Sequence, residues 1–449
     1  MNLFRGLAAR AADGRPIRIG QVGAGKFGTM FLSQARLTQG LHIAGLADLD
    51  PGRARTRLIE VGWPVEQTAA ASLSEAFETG GTFLTDDALA VIAHPEIDVV
   101  IEATGDPATG IRLCRDAIRH GKHIIMVNVE ADALAGPLLA LEAARAGVVY
   151  SLAWGDQPAL IAEQVDWARA CGFKIVAAGK GTRYHPTYHQ LTPDTVWDVL
   201  TQYLPITDRS HINPKMFNSF LDGTKSGIEM TAVCNACDLV PQTQGLSFPP
   251  ASRFELADIL KPASEGGHLE KKGVTEVVSS LRRDGTAVPH HLAMGTFVVV
   301  ESDSAYAAQC FVEYNCLQDT TGRYAALYRP THMIGLELGI SVASVALRGE
   351  PTGAPVAWNS DCVATAKRAL KRGEILDGEG GFTVWGRQTP AALAMAEGYL
   401  PLGLAHGVPL RRDVAAGEIV RWSDVTIDET NDAVRARREM ECFLTPGGR

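Results

Sequence analysis

One short segment restricts this chain more than any other: Ile17-Arg18-Ile19-Gly20-Gln21-Val22-Gly23-Ala24-Gly25-Lys26-Phe27-Gly28. An apolar run enters a glycine-rich turn, and an amphipathic stretch, 27–39, leaves it. Gly23 permits a sharp turn, Gly25 lets backbone approach a pyrophosphate, and Gly28 lets a helix pack closely on the strand. A helix starting there turns free N–H groups and a positive dipole end toward phosphate. A second apolar run, 43–47, ends in Asp48, placed where an acid binds ribose hydroxyls, about 20 residues on. The pattern predicts a nicotinamide-type dinucleotide site lined by Gly23, Gly25, Lys26, Phe27, Gly28 and Asp48. Asp48 favours NAD because it repels a 2′-phosphate, whereas Arg53 and Arg55 offer that phosphate a clamp.

From residue 17 to about 150, apolar runs alternate with helical patterns, which predicts an α/β domain with a doubly wound parallel sheet. Ligands lie at the carboxyl edge of such sheets. The run 99–103 ends in Ala103-Thr104-Gly105 and the run 123–127 ends before Asn128-Val129-Glu130, so Ala103, Thr104, Gly105, Asn128 and Glu130 join the cofactor set. Further on, the run 173–178 enters Gly179-Lys180-Gly181-Thr182-Arg183-Tyr184-His185-Pro186. Residues 215–239 read as one long helix with apolar residues at helical spacing. Runs 297–300 and 309–314 read as strands of a mixed α+β domain, and 332–347 as its final helix. Beyond a Gly/Pro-rich linker, Lys371-Arg372-Gly373-Glu374 and Ala415-Ala416-Gly417-Glu418 repeat one turn pattern. Three domains are expected: 1–155, 156–355 (its final helix packing back on the first domain) and 356–449.

Composition narrows the classes. With 449 residues, 46% hydrophobic and 21% charged, the chain has the balance of a globular protein with several cores. A net charge of −9 argues against nucleic acid as the main partner. No apolar run is long enough to span a bilayer, and residues 1–15 read as a short helical arm rather than a signal peptide. Eight cysteines without a framework suit a reducing cytoplasm. Cys234 and Cys237 form a CxxC with no matching second pair, which reads as packing.

Several segments together resemble the homoserine dehydrogenase superfamily. They are the glycine loop, Ala103-Thr104-Gly105, "GKHIIMVNVEADALA" at 121–135, and the stretch carrying Asp222 and Lys225. Residues 361–428, with "KRGEILDGEGGFTVWG", look like a SAF-type module. Two departures count against a true homoserine dehydrogenase: Glu130 stands where that family has a lysine, and Gly155-Asp156-Gln157-Pro158 replaces its glycine-rich run. With "GKGTRYHPTYHQLTPDTVW" and "MFNSFLDGTKSGIEM", the chain resembles the bacterial 1-deoxy-D-xylulose-5-phosphate reductoisomerase-like proteins. The resemblance implies a Rossmann domain, a central catalytic and oligomerisation domain and a small β-rich SAF-like domain. It further implies an NAD(P)-dependent oxidoreductase with a preference for NADP, a phosphorylated small-molecule substrate and a homodimer or higher homo-oligomer. The alternatives are a related dehydrogenase of a hydroxy acid, polyol or amino alcohol, and a non-catalytic nucleotide or sugar sensor.

Hydride transfer needs a dry pocket, a proton donor and cations where oxygen charge develops. Lys180, flanked by glycines, is expected at a strand end. Lys225 stands one helical turn from both Asp222 and Glu229, so the three are expected on one face and, with Lys180, are the catalytic candidates; a surface ion-pair ladder is the competing reading. Arg183, His185, His189 and Lys215 are the substrate-binding candidates, suited to an anionic substrate. A divalent cation on Asp222, Glu229 and a neighbouring carboxylate is conceivable chemistry but has no ligand motif. His290-His291 is a bare pair.

Overall fold

The computed structural model of the protein describes residues 2–203, 206, 209 and 212–447. They divide into two compact units, Met1–Leu160 with Met333–Pro355, and Ile161–His332 with Val356–Arg449.

The first unit holds six strands: β1 (Ile17–Val22), β2 (Leu41–Ala47), β3 (Phe83–Thr85), β4 (Val99–Glu102), β5 (His123–Met126) and β6 (Tyr150–Leu152). Their order is β3-β2-β1-β4-β5-β6, and every neighbouring pair is parallel. Parallel neighbours need crossovers, supplied by helices such as Lys26–Ala35, Pro107–Arg119 and Val129–Arg145. The winding reverses between β1 and β4, which is where such sheets open a crevice. Ile17, Ile19, Ile43, Leu46, Val99 and Ile101 form the core, together with Leu338, Val342 and Val345 from the far end of this unit's chain. Those three belong to or adjoin helix Gly339–Arg348, which begins seven residues later than the expected 332. Gly335 is the reason: it stands at φ +77, a left-handed conformation that helical backbone does not contain.

The second unit is built on β7 (Lys174–Thr182), β8 (Val274–Ser279), β9 (Thr296–Glu301), β10 (Leu317–Gln318) and β11 (Tyr324–Arg329), in the order β10-β11-β9-β7-β8. β7 pairs parallel with β8 and antiparallel with β9. Helix Thr224–Cys237 covers one face through Met230, Val233 and Cys234. Leu256, Leu260 and Leu269 cover the other. The sheet is therefore covered on both faces within its own unit. Residues 309–314 are not a strand. They lie mostly in helix Ala305–Glu313, capped by Ser304, whose hydroxyl accepts the Ala307 N–H. The expected single helix 215–239 is two, Pro214–Leu221 and Thr224–Cys237, broken at Asp222-Gly223 where Gly223 takes φ +91.

In the remainder of this unit, β12 (Ser360–Ala366) pairs with β14 (Val384–Pro390) and β13 (Ile375–Asp377) with β15 (His406–Pro409), all antiparallel. The repeated turn is real. Gly373 and Gly417 take φ +83 and +78. Glu374 and Glu418 each accept the N–H of the residue three before, at 3.0 and 2.9 Å. A bridge between Leu370 and Val414 sets the two turns against each other.

Helix Asp432–Phe443 is fastened by Arg437, whose two Nη atoms each donate to Asp361 at 2.7 Å with both side chains 1% exposed. Removing one partner of such a pair strands the other in low dielectric, at a cost of about 3–5 kcal/mol. Arg437→Met should therefore lower the unfolding free energy of the second unit by that order, seen as a lower denaturant midpoint. Chemical unfolding followed by circular dichroism measures it, and an unmoved midpoint would contradict the role.

Candidate active site

β1 runs directly into the glycine turn. Gly23 takes φ +98, and a Cβ there would lie 2.5 Å from the Ala103 carbonyl oxygen. A Cβ on Gly28 would lie 2.4 Å from the Gly23 oxygen. These two positions are closed by packing. Gly25 differs: it is the N-cap of helix Lys26–Ala35 at φ −66, without side-chain capping of the free N–H groups, and nothing stands within 4 Å of where its Cβ would be. Open space over an uncapped helix start, with no acid in the first turn, fits a pyrophosphate. Lys26 and Phe27 open that helix. Asp48 is latched to the loop, since its Oδ2 accepts the Ala24 N–H at 2.8 Å. Its Oδ1 pairs with Arg53 Nη2 at 3.1 Å, and Arg53 is otherwise exposed, as is Arg55.

The ends of β4 and β5 carry a second polar group. Glu102, absent from the sequence-based set, is fully buried. Its Oε1 accepts the Thr104 N–H at 2.8 Å and a short bond from the Thr104 hydroxyl. Burial pushes its carboxyl up to about 7. Gly105 follows at φ +75. Asn128 caps helix Val129–Arg145, accepting the Ala131 N–H at 3.1 Å, and its Nδ2 donates to the Asp106 carbonyl at 2.9 Å. Glu130 stands in the first turn of that helix. Two residues further in, buried Asp132 accepts the Tyr150 hydroxyl at 2.7 Å, and burial pushes its carboxyl up to about 7 as well.

In the second unit the structure moves Lys180 from a strand end into the strand. It pairs across β7 with Val277 on β8 and Thr296 on β9. The flanking glycines are there for packing, since a Cβ on Gly179 or Gly181 would come within 1.8 Å of the Glu276 or Leu292 carbonyl oxygen. Lys180 Nζ makes a short ion pair with Glu229, and both side chains are buried. Asp222 stands on the helix break rather than on the Lys225 face. Its Oδ2 lies 2.7 Å from Lys367 Nζ, its Oδ1 accepts the Thr224 N–H at 2.9 Å, and its backbone oxygen lies 2.6 Å from His189 Nδ1. A carbonyl only accepts, so Nδ1 carries the proton and Nε2 accepts the Tyr184 hydroxyl at 2.8 Å. Burial lowers the pKa of His189 and raises that of Tyr184 to about 12. Trp385 stacks on the imidazole at 3.8 Å, and Phe248 on Tyr184 at 3.9 Å.

The other candidates are placed as follows. Lys225 lies half-buried in the first turn of helix Thr224–Cys237. Arg183 stacks over Tyr203 at 4.7 Å. His185 lies 3.1 Å from the Arg283 carbonyl and caps the short helix Pro186–Gln190. Lys215 donates to the Asp377 carbonyl at 2.8 Å. Cys234 and Cys237 are buried, and burial pushes both thiols up to about 12. His290 and His291 are exposed. Among the described residues no group of three His, Cys, Asp or Glu side chains gathers as a metal site. Sequence reading missed Glu102, Tyr184, Lys367 and Trp385. Glu102 and Lys367 did carry a signal, each being a charge that ends an apolar run, as Lys180 does.

The comparisons agree with this layout. Residues 23–151 match the family described as homoserine dehydrogenase, NAD binding domain. Residues 155–338 match oxidoreductase DRL, catalytic domain, and 363–426 match the SAF domain. A homoserine dehydrogenase from Pseudomonas aeruginosa is 35% identical over 90 residues, 20% of this chain and 21% of that protein, so the match spans about a fifth of that relative. A crystal structure of a homoserine dehydrogenase from Thiobacillus denitrificans is 15% identical, covers 74% of each chain and gives a TM-score of 0.43. Biliverdin reductase from Synechocystis, solved with biliverdin and NADP+, is 18% identical, covers 38% of this chain and 48% of its own, and gives a TM-score of 0.24. At those scores neither fixes the fold, which stands on the strand order above. Sequence matches and glycine loop together place the chain among the NAD(P)-dependent oxidoreductases. Within that class it combines a homoserine dehydrogenase-type NAD-binding domain, a DRL catalytic domain and a SAF domain.

Two outcomes follow from this geometry. Gly25→Val puts a branched side chain into open space, so it should abolish cofactor binding while the thermal transition stays where it is. Calorimetric titration with NADPH and NADH reads the first part, and unchanged affinity would take Gly25 out of the site. The second concerns Asp132, whose carboxyl titrates at about 7 in the fold against 3.8 ordinarily. A raised acid contributes stability that is complete below the lower value and lost as pH rises through the upper one. Asp132→Asn should therefore shrink the loss of stability between about pH 5 and 8, by roughly 1–3 kcal/mol. Denaturation series at several pH values check it.

Proposed function

We propose that the protein is an NAD(P)H-dependent reductase of a small phosphorylated carbonyl compound. In its finer form the reading is a 1-deoxy-D-xylulose-5-phosphate reductoisomerase-like enzyme forming 2-C-methyl-D-erythritol 4-phosphate. The observation that carries the reductase is Gly25, open above an uncapped helix start at the switch point of the parallel sheet. The match of residues 155–338 to the DRL catalytic domain supports the finer form. The three-domain division at 155 and 355 is proposed with it, as are a cytoplasmic location and self-association; exposed Tyr306, Val312 and Tyr314 in and after helix Ala305–Glu313 support the last.

Bound nicotinamide would supply the hydride. Gly23, Gly25 and Gly28 would seat the pyrophosphate, and Asp48 the ribose. Arg53, whose guanidinium offsets the Asp48 charge, favours NADPH. Lys180 and Lys225 would stabilise the oxygen charge that grows as the carbonyl is reduced, with Glu229 as the counter-charge of Lys180. Arg183, His185, His189 and Lys215 would hold the anionic substrate.

A panel of phosphorylated and plain carbonyl compounds, scored by NADPH oxidation, tests the reading. Turnover confined to plain hydroxy acids, polyols or amino alcohols would favour the dehydrogenase alternative, and none with any carbonyl would favour the sensor. Lys225→Met keeps the apolar stem and should lower turnover by about 10²–10³ with little change in cofactor affinity. Near-normal turnover in that variant would remove Lys225 from the chemistry.

A further inference from the structure

We propose that Lys367, carried by the SAF segment, is a positioning residue of the site: it holds Asp222 and, together with Trp385, sets the orientation of His189. The proposal rests on the reading that Asp222 and His189 serve the reaction. The Lys367 ammonium donates to the Leu191 carbonyl at 2.6 Å and the Gly381 carbonyl at 2.7 Å, and it forms an ion pair with Asp222, whose Oδ2 lies 2.7 Å from Nζ. The Lys367 side chain is 2% exposed and that of Asp222 is wholly buried. Two of those three partners belong to the site. Asp222 receives His189 Nδ1–H on its backbone oxygen, and Leu191 closes the short helix Pro186–Gln190 that carries His189. One cation therefore ties the histidine's hydrogen-bond acceptor to the segment that bears the histidine. Trp385, eighteen positions along the same module, closes one face of the imidazole with a near-parallel stack, 21° between planes. Asn218 adds to the docking, donating to the Leu191 carbonyl at 3.0 Å and the Gly380 carbonyl at 2.9 Å.

A merely structural lysine and a positioning lysine make different predictions. The charged and titratable groups that act on His189 are Asp222, Lys367 and Arg387, with Tyr184 on Nε2. Lys367 and Arg387 disfavour the imidazolium and Asp222 favours it. Removing the Lys367 charge takes away one repulsion and leaves Asp222 uncompensated, and both effects favour protonation of His189.

Lys367→Met and Lys367→Gln are to be compared in the full chain, Gln retaining N–H donors for the two carbonyls should Met fail to fold. The His189 titration midpoint, read by NMR on histidine-labelled protein, should rise in either variant. Turnover with NADPH should fall by tenfold or more while NADPH affinity stays within twofold. Lys371→Met, which removes a surface lysine paired with Asp413, should change neither reading. An unmoved His189 midpoint and turnover within twofold of the parent in a folded Lys367 variant would overturn the proposal. If the parent protein itself oxidises no NADPH with any carbonyl compound, the functional reading falls, and the His189 midpoint alone decides the role of Lys367.

Discussion

A charge buried in protein needs an opposite charge or a proton, because the interior returns little of the hydration it gave up. Much of the second unit is arranged around that requirement. Lys180 meets Glu229, Lys367 meets Asp222, and Arg437 meets Asp361, all with side chains almost or wholly shielded from water. Such pairs contribute little stability compared with apolar groups of the same size, but losing one partner is severe. They therefore act as registry pins. Each pin joins segments far apart in the chain, and two of them fasten the SAF segment to the remainder of its unit or to its own closing helix. The SAF segment is thus part of one polar framework with Asp222 and His189.

Glycine shows how one residue type answers different constraints in the two units. At Gly179 and Gly181 the neighbouring strand or loop backbone comes so close that no side chain fits, and the intervening Lys180 points to the opposite face. The Gly-Lys-Gly pattern is then a consequence of β7 lying tightly between β8 and the chain near Leu292. At Gly25 nothing crowds the backbone at all. The first kind of glycine is required by the protein, the second by what the helix start is open to receive. Sequence alone shows the letter, and only the surroundings separate the two causes.

The nucleotide-binding fold was legible because its signals are local. Strand period, turn glycines and the acid after β2 all lie within about 30 residues, and the strand order follows from alternating strands and helices. The helix break at Asp222-Gly223 was masked by apolar residues that keep helical spacing on both sides of it. Helix Ala305–Glu313 was misread because its aromatic and β-branched residues suit a strand, while Ser304 as a cap was the better guide. The pairings at the site were not legible. Lys180 and Glu229 are 49 residues apart, and Lys367 lies 176 residues from the Leu191 carbonyl it binds. No periodicity reaches across such distances. Lys180, Asp222, Glu229 and His189 were found by residue type and neighbourhood, but Lys367, which pairs with Asp222, and Trp385, which stacks on His189, were not.

One signal does connect the residues that were found with those that were missed. Glu102, Lys180 and Lys367 each follow an apolar strand run with little polar relief, Val-Val-Ile before Glu102 and Ala-Thr-Ala before Lys367 among them. A run of that kind places its last residue in the interior, so a charge there faces the full desolvation penalty. The two units meet it differently. In the second unit the lysines meet carboxylates, which keeps charge inside and fixes geometry. In the first, burial raises Glu102 toward neutrality near pH 7, so that its site can stand without a lysine or arginine partner. That difference suits the chemistry proposed for each. An anionic cofactor is best received where the nearby acid is least charged, and a reacting carbonyl oxygen is best met by fixed cations.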